Sequence, residues 1–566
     1  MSPICSVAEL AAALPSGSSV AIGGFQLNRV PMAMLAEIVR AGIGELRVVS
    51  VPNPLALDLL VAHGRVRAAE GGFIGFQYED GFVMPASLRL ALQDGGLDYR
   101  ERDVLDTITA LRRAAEGAAP GPDFALIHAQ AADGAGNLRL DDPHADLLLA
   151  AASRSVLATA ERIVPRLESP TIAGERVAAL AECPGGAAPT GCVGRYRRDP
   201  DALRAYLQAA PADLLSILGD ARGRAAASPL SSATAPLRAT AGTTRLQLAR
   251  LDAAATGAAD AGTVAAGGAA AARPAPAPAA GLGGTAAADL FVVLMARQVR
   301  DGDTVVTGLA SALPMLAIEL ARRTHAPRLR YINCVGAVDP RLRTALPVSV
   351  DAELLADCAA TITLPELFDL AAAGGIDTMF FGAAQIDAGG AINLTRIGRR
   401  DAKTVKLPGP AGSPSMRSLV RRALITVPRQ SRRTFVAEVD VPTSVPSPTN
   451  LETVVITDLA IWALEGGALQ PRSLHPGVSG ARLAEATGFG FAPASFPTTM
   501  PPRQAELDAL AELDPDGLRH RLFDKKPGGR AAVRQARSAP SRPPSPATAA
   551  PPETRASATE RITHER

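Results

Sequence analysis

The chain writes one pattern twice, and that repetition limits the fold more than any other feature. "SGSSVAIGGFQLNRVPMAMLAEIV" (16–39) reads as a strand, a glycine turn at Gly23-Gly24, a proline, and a helix with apolar Met34, Leu35, Ile38 and Val39. "DGDTVVTGLASALPMLAIELARR" (301–323) repeats it: Gly17 and Gly23 are spaced like Gly302 and Gly308, and Pro31-Met32 is matched by Pro314-Met315. A strand follows each helix, "ELRVVSV" (45–51) and "RLRYINC" (328–334). A second matched pair, "DFALIHAQAADGAGNLRL" (123–140) and "DTMFFGAAQIDAGGAINLTRI" (377–397), ends a continuous apolar strand in Ala-Gln, Asp and a glycine turn. Repeated strand, turn and helix units predict two related doubly wound α/β domains forming a pseudo-symmetric pair.

Between them, from about 222 to 286, large apolar residues nearly vanish apart from "LQLARL" (246–251). Such a segment cannot bury enough surface to offset its ordering entropy. It is expected to be a disordered linker, spanning on the order of 45 Å as a flexible coil. The same reasoning makes 526–566 a solvated tail and sets the domains at 1–221 and 287–525. A formal net charge of +2 and 4% aromatic residues give no electrostatic pull or stacking surface for nucleic acid. Five widely spaced cysteines, with no paired C-x-x-C, indicate neither a disulfide framework nor a zinc site and suit a reducing cytoplasm. The N-terminus has no basic region and carries Glu9 in its apolar run, so no signal peptide is expected; no apolar window is long enough for a membrane span. Neither a Walker-type loop, nor a Gly-x-Ser-x-Gly elbow, nor a metal-ligand spacing occurs.

The chain resembles family I CoA-transferases of the glutaconate CoA-transferase-like branch, with α and β subunits fused. The resemblance rests on "VAIGGFQLNRVPM", "FALIHAQAADGAGNL", "LATAERIV" and "ECPGGAAPTGCVGRY" in the first half. In the second it rests on "GAAQIDAGGAINLTRIG", "KLPGPAGSPS", "RRTFVAEVDVPTS", "VVITDLAIW" and "SLHPGVSGARLAEATGFGF". It implies transfer of CoA between an acyl-CoA and a carboxylate through a β-subunit glutamate that forms an acyl anhydride and then a CoA thioester. No permanently bound cofactor is implied, since CoA arrives with the substrate; a homo-oligomer is left open. Glycine turns would supply oxyanion and CoA contacts, which makes Gly23, Gly24, Gly336, Gly382, Ala384, Gln385, Gly389 and Asn393 the candidates.

The chain departs from that pattern at the nucleophile. The family's glutamate stands two residues before a glycine that here is Gly336, so its position falls on Cys334, and no acidic residue lies between Arg328 and Gly336. Cys334 is a substitute thiolate nucleophile if something lowers its pKa. It is filler if the chemistry is that of the steroid-ring-opening CoA hydrolases, which the ending "SLHPGV" and "ELDALAELDPDGLRHR" (506–521) resembles. A transferase using another carboxylate, and a non-catalytic acyl-CoA-binding protein, complete the set. For the hydrolase reading the acid would fall near Val104, with Asp103 and Glu101 beside it. Glu70, in "AAEGGF", reads more simply as a surface carboxylate.

Two further departures concern the pocket. The segment after "LRRAAEGAAPGP" (111–122) is short, so the acyl pocket is expected to be more open or built from elsewhere, and Ala391 replaces the asparagine that the first half keeps as Asn137. His128 is expected as a hydrogen-bonded core-edge histidine and His475 as a turn organiser, with Asp133 and Asp387 capping their own glycine turns.

Overall fold

A computed structural model describes residues 4–79, 81–227, 284–398, 404–492 and 495–524. The first half builds an eight-stranded parallel sheet from β1 (Ile4–Cys5), β2 (Ser19–Ile22), β3 (Leu46–Ser50), β4 (Val66–Gly71), β5 (Asp98–Glu101), β6 (Phe124–Ala129), β7 (Ser155–Ala160) and β8 (Val177–Glu182), in the order β1-β8-β7-β6-β2-β3-β4-β5. The second builds a nine-stranded sheet from β9 (Thr304–Thr307), β10 (Arg330–Asn333), β11 (Ala337–Val338), β12 (Ala360–Thr361), β13 (Thr378–Gly382), β14 (Arg422–Val427), β15 (Glu452–Thr457), β16 (Ala460–Glu465) and β17 (Ala468–Leu474). Its order is β12-β11-β10-β9-β13-β14-β15-β16-β17.

Both sheets contain the same five-strand parallel core, β3-β2-β6-β7-β8 and β10-β9-β13-β14-β15, so the duplication read from sequence is a duplication of topology. The local devices repeat too. Gly17 and Gly302 turn into the first strand at φ +85° and +86°, a left-handed conformation that costs glycine nothing. Asp123 accepts the N–H of Ser19 at 2.9 Å, and Asp377 accepts that of Thr304 at 2.9 Å. Helices cover both faces of the parallel cores, which is why strands such as Phe124–Ala129 and Glu452–Thr457 are buried almost throughout rather than on alternate residues. The helix Met32–Arg40 buries the four residues its spacing assigned to the core, Met34, Leu35, Ile38 and Val39.

The domain edges differ from the composition reading. The helix Leu214–Ala227 runs past residue 222, and Gly284–Gln298 begins before 287, because alanine-rich sequence holds a helix without large side chains. The rest of the expected linker, "LQLARL" included, and the expected tail lie outside the described residues. No helix among those described is long and apolar enough to cross a membrane.

Main-chain and side-chain bonds join the halves along two seams. Asn28 donates to Val350 O at 2.8 Å, the Ser349 N–H to Gln77 Oε1 at 2.9 Å, and Arg198 pairs with Asp351. On the other seam Ala411 N–H meets Gly72 O at 2.7 Å, Val104 N–H meets Ala411 O at 2.9 Å, and Lys406 pairs with Glu101 at 2.7 Å. One hydrophobic core runs through both, from Ile127 and Val156 to Ile332 and Val454. Segments 1–227 and 284–566 expressed as separate chains are therefore expected to copurify as one complex; recovery of either alone by size-exclusion chromatography would count against the seams.

Candidate functional site

In a doubly wound sheet, ligands bind beyond the carboxyl ends of the strands where the strand order reverses. Here those points lie between β2 and β6 and between β9 and β13.

At the first, the loop Gly23–Arg29 is bent around a buried ion cluster. Fully buried Arg29 donates Nε to Asp142 at 2.6 Å, Nη2 to Asp146 at 2.6 Å and Nη1 to His128 O at 2.6 Å, and Gln130 also reaches Asp142. Burial pushes the Asp142 carboxyl up, but the Arg29 guanidinium and His144 more than reverse this and hold it far below the carboxylate range. Gln26 and Arg29 take φ +57° and +51°; the cluster holds Arg29 there, and Pro52 O holds Gln26 through its backbone N–H at 3.1 Å and its amide at 3.3 Å. The Gly23 N–H is bonded to Leu126 O at 2.9 Å and the Gly24 N–H to Asp146 at 3.0 Å. Both expected oxyanion donors are thus engaged inside the protein. What these glycines contribute is close approach: a Cβ on Gly23 would strike Asp146, and one on Gly24, at φ +77°, would lie 2.6 Å from Arg29 O. Arg29, Asp142 and Asp146 escaped the sequence reading, although "VAIGGFQLNRVPM" contains Arg29 and "DFALIHAQAADGAGNLRL" ends two residues before Asp142. More than 110 residues separate the partners, and no local spacing joins them.

At the second point, Cys334 leaves β10 with its N–H on Thr307 O at 3.1 Å and its side chain 9% exposed. Burial pushes the thiol up to about 12. At pH 7 that leaves a thiolate fraction of roughly 10⁻⁵. No side-chain hydrogen bond reaches its Sγ among the described residues. Below it, buried Asn333 donates to Ser349 O at 2.6 Å and to the Tyr331 hydroxyl at 2.9 Å, and accepts the Val335 N–H. Gly336 sits at φ +100° with its N–H on Asn333 O, and a Cβ there would strike Ile362 O, so it shapes the turn.

Beside Cys334 begins the helix Ala312–Thr324. Its N-cap residue Ser311 turns its hydroxyl to Leu309 O at 3.3 Å instead of capping, and no acceptor among the described residues meets the Ala312 and Leu313 N–H groups. In the first half, by contrast, Ala33 near the start of Met32–Arg40 donates to Gly186 O at 2.9 Å. Ala310, just before the uncapped helix, is exposed at φ +57°.

The hairpin after β13 gathers the remaining candidates. Gln385 and Asn393 are register partners, joined by Asn393 Nδ2 to Gln385 Oε1 at 2.6 Å, and Gln385 Nε2 donates to Asp440 at 2.9 Å. The Ala384 N–H is held by Asn393 O at 3.1 Å. Gly382 and Gly389 are exposed, and Gly382 has open space around it. Asp387 caps its own turn through the Ala391 N–H at 3.0 Å, as Asp133 does through Ala135 and Asn137. In the first half Asn137 also ties Asp133 to the Gly174 N–H; Ala391 forgoes both bonds. Beneath the second-half turn lies fully buried Arg417, lowered to about 10 by burial that Asp387 only partly offsets.

The acids weighed from sequence are all paired. Glu101 meets Lys406 and Glu70 meets Arg102 at 3.1 Å, while Asp103 caps the helix Val104–Ala115 and accepts the Ser415 N–H across the seam at 3.1 Å. His128 is fully buried between Thr159 at 2.9 Å and Glu161 at 2.8 Å. With Cys192 they form a His-Glu-Cys group within 4.8 Å that no sequence spacing indicated. Glu161 there also accepts from Tyr196, Gly185 and Gly186, so its oxygens are occupied by the protein.

His475 donates Nε2 to Thr457 O at 3.0 Å and meets Thr499 at 3.0 Å, tying β17 to β15. Burial lowers it to about 4, so it stays neutral when folded while the unfolded chain protonates near 6.5. The stability it lends is whole above 6.5 and is lost as pH falls toward 4, by about 3 kcal/mol. Denaturant titrations at pH 7.5 and 5 are expected to show a smaller loss in His475→Gln than in the unsubstituted chain.

A family model described as coenzyme A transferase matches residues 4–87 and 291–486, one stretch in each half. The chain is 34% identical over 243 residues to one of the subunits of 3-oxoadipate CoA-transferase from Pseudomonas knackmussii, spanning 40% of this chain and 92% of that protein. Among solved structures, the decarboxylase AibA/AibB is 43% identical over 42% of this chain and 98% of its own, at a TM-score of 0.40. The acyl-CoA transferase YdiF of Escherichia coli O157:H7 shares the fold over 88% of this chain and 95% of its own, at a TM-score of 0.60 and 13% identity.

Proposed function

Because the chain belongs to the coenzyme A transferase family, we propose that it binds an acyl-CoA thioester at the β9/β13 switch point and passes CoA to a carboxylate without bonding to residue 334. The observation that carries this reading is the buried, neutral thiol of Cys334 where the family resemblance expects a glutamate. The thioester carbonyl would lie over Cys334, with its oxygen toward the uncapped N–H groups of Ala312 and Leu313, a placement suited to a developing oxyanion. The CoA arm would run along Gly382 and Gly389. Without an enzyme carboxylate, the acceptor carboxylate itself attacks the carbonyl. The C–S bond breaks, releasing CoA thiolate and leaving a mixed anhydride of the two acids. The thiolate then attacks the acceptor's carbonyl, giving the new thioester and the donor carboxylate. Five free cysteines support work in a reducing cytoplasm.

Initial rates with an acyl-CoA and acetate test this. Acetyl-CoA formation with intersecting double-reciprocal lines is expected; parallel lines would indicate a covalent enzyme intermediate, and free CoA alone would indicate hydrolysis. An acyl-CoA product lighter by carbon dioxide, or binding without turnover, would equally overturn transfer.

A further inference from the structure

Three strands along the carboxyl edge from Cys334 lies a groove of about 610 Å³, within the range of small-molecule sites. One wall is Arg432, just beyond β14; the other is formed by Thr487, Gly488, Phe489 and Phe491, beyond β17, with Phe496. The rings are held in place: Phe489 stacks on Phe435 at 5.9 Å, and Phe491 stands edge-on to buried Trp462 at 5.3 Å and 90°. Their outer parts are still only half-buried. Arg432 lines the groove; Arg429, which pairs with Asp458 at 3.7 Å and lies 4.3 Å over the Phe523 ring, and Arg433 neighbour it in sequence, and Arg482, between the lining residues Gly480 and Ala484, pairs with Glu485 at 3.6 Å. Arg432 is exposed and directs Nε to Glu485 O at 3.2 Å.

Backbone bonds tie the groove's walls to the hairpin of the proposed CoA site. Val436 N–H meets Ile386 O at 2.9 Å, and Gly488 N–H meets Phe435 O at 2.8 Å. Two steps at strand spacing place Gly488 roughly 10 Å from the hairpin.

We infer that this groove takes the nucleotide end of CoA, with the purine against Phe489 and Phe491 and the phosphates against Arg432 and its neighbouring arginines. Half-buried aromatic faces accept a base of any kind, and guanidinium groups match phosphate oxygens in pairs. The inference rests on the reading that the chain takes acyl-CoA.

Calorimetric titration of the full chain with CoA, pantetheine, adenosine 3′,5′-bisphosphate and ADP tests it. The bisphosphate is expected to bind and to compete with CoA. Arg432→Glu is expected to weaken CoA about tenfold or more, most strongly at low salt, and pantetheine less than about twofold, with Arg432→Lys retaining most of the affinity. CoA binding indifferent to residue 432, or bisphosphate or ADP bound together with CoA, would overturn the groove while leaving the acyl-CoA reading in place. A chain that binds neither CoA nor pantetheine would overturn both.

Discussion

Replacing Arg29 by methionine is expected to destabilise the protein by about 3–5 kcal/mol, because it leaves two carboxylates buried and uncompensated. Arg29, Asp142 and Asp146 are all fully buried, and the guanidinium meets both acids at 2.6 Å. The cost depends on pH with a definite sign. In the wild-type chain the depressed Asp142 carboxyl adds stability above the unfolded value of about 3.9, stability that is lost only as pH falls through the lower folded value. In Arg29→Met, the burial that pushes the Asp142 carboxyl up is no longer offset by the guanidinium. The variant is then worst at neutral pH, and its deficit narrows below about pH 5 as Asp142 protonates. Denaturant midpoints at pH 7.5 and 5 measure this, and a deficit that does not narrow would contradict it. The triple variant Arg29→Met, Asp142→Asn, Asp146→Asn is expected to be less destabilised than Arg29→Met alone, because removing a whole ion cluster costs less than breaking one. Turnover is also expected to fall, since the cluster fixes the Gly23–Arg29 loop and Asn28 carries that loop to Val350 on the other half.

The second large effect concerns Cys334. With its thiol pushed up to about 12 rather than the ordinary 8.5 or so, its alkylation by iodoacetamide at pH 7.5 is expected to be slower than that of an unperturbed thiol by roughly 10³-fold, before burial slows it further. Partly exposed Cys5 should react first in the folded chain, and Cys334 only on unfolding. Peptide mapping of the labelled cysteines reads this directly. Fast labelling of Cys334 would mean that a base or cation lowers it and would return the thiol to the list of nucleophiles.

The parts of the fold written in local pattern were legible in the sequence. The strand–glycine–helix repeat and the two glycine hairpins carry period and turn chemistry within a few residues, and the doubly wound α/β class and its duplication follow from them. At the linker's ends a lack of large side chains is not a lack of structure, since Arg222 to Ala227, three of them alanine, continue the helix that begins at Leu214. At the site, sequence could place Cys334 at a strand end but not its charge state, which depends on burial that only packing creates. The glycine amides were expected as donors from their motif. Yet Leu126 O and Asp146, more than a hundred residues away, occupy Gly23 and Gly24, while the Ala312 and Leu313 amides meet no acceptor among the described residues. The Arg29 cluster, the Glu161 network and the seam through Ser349 are likewise long-range, so no single window of sequence contains them.

Intact-protein mass spectrometry of the chain while it turns over an acyl-CoA and acetate, with acetyl-CoA followed in the same samples, tests the central claim most directly. The account predicts that acetyl-CoA accumulates while the protein keeps its unmodified mass, both before and after borohydride treatment. A CoA-sized or acyl-sized adduct on the chain, localised to Cys334 or to any carboxylate, would contradict it.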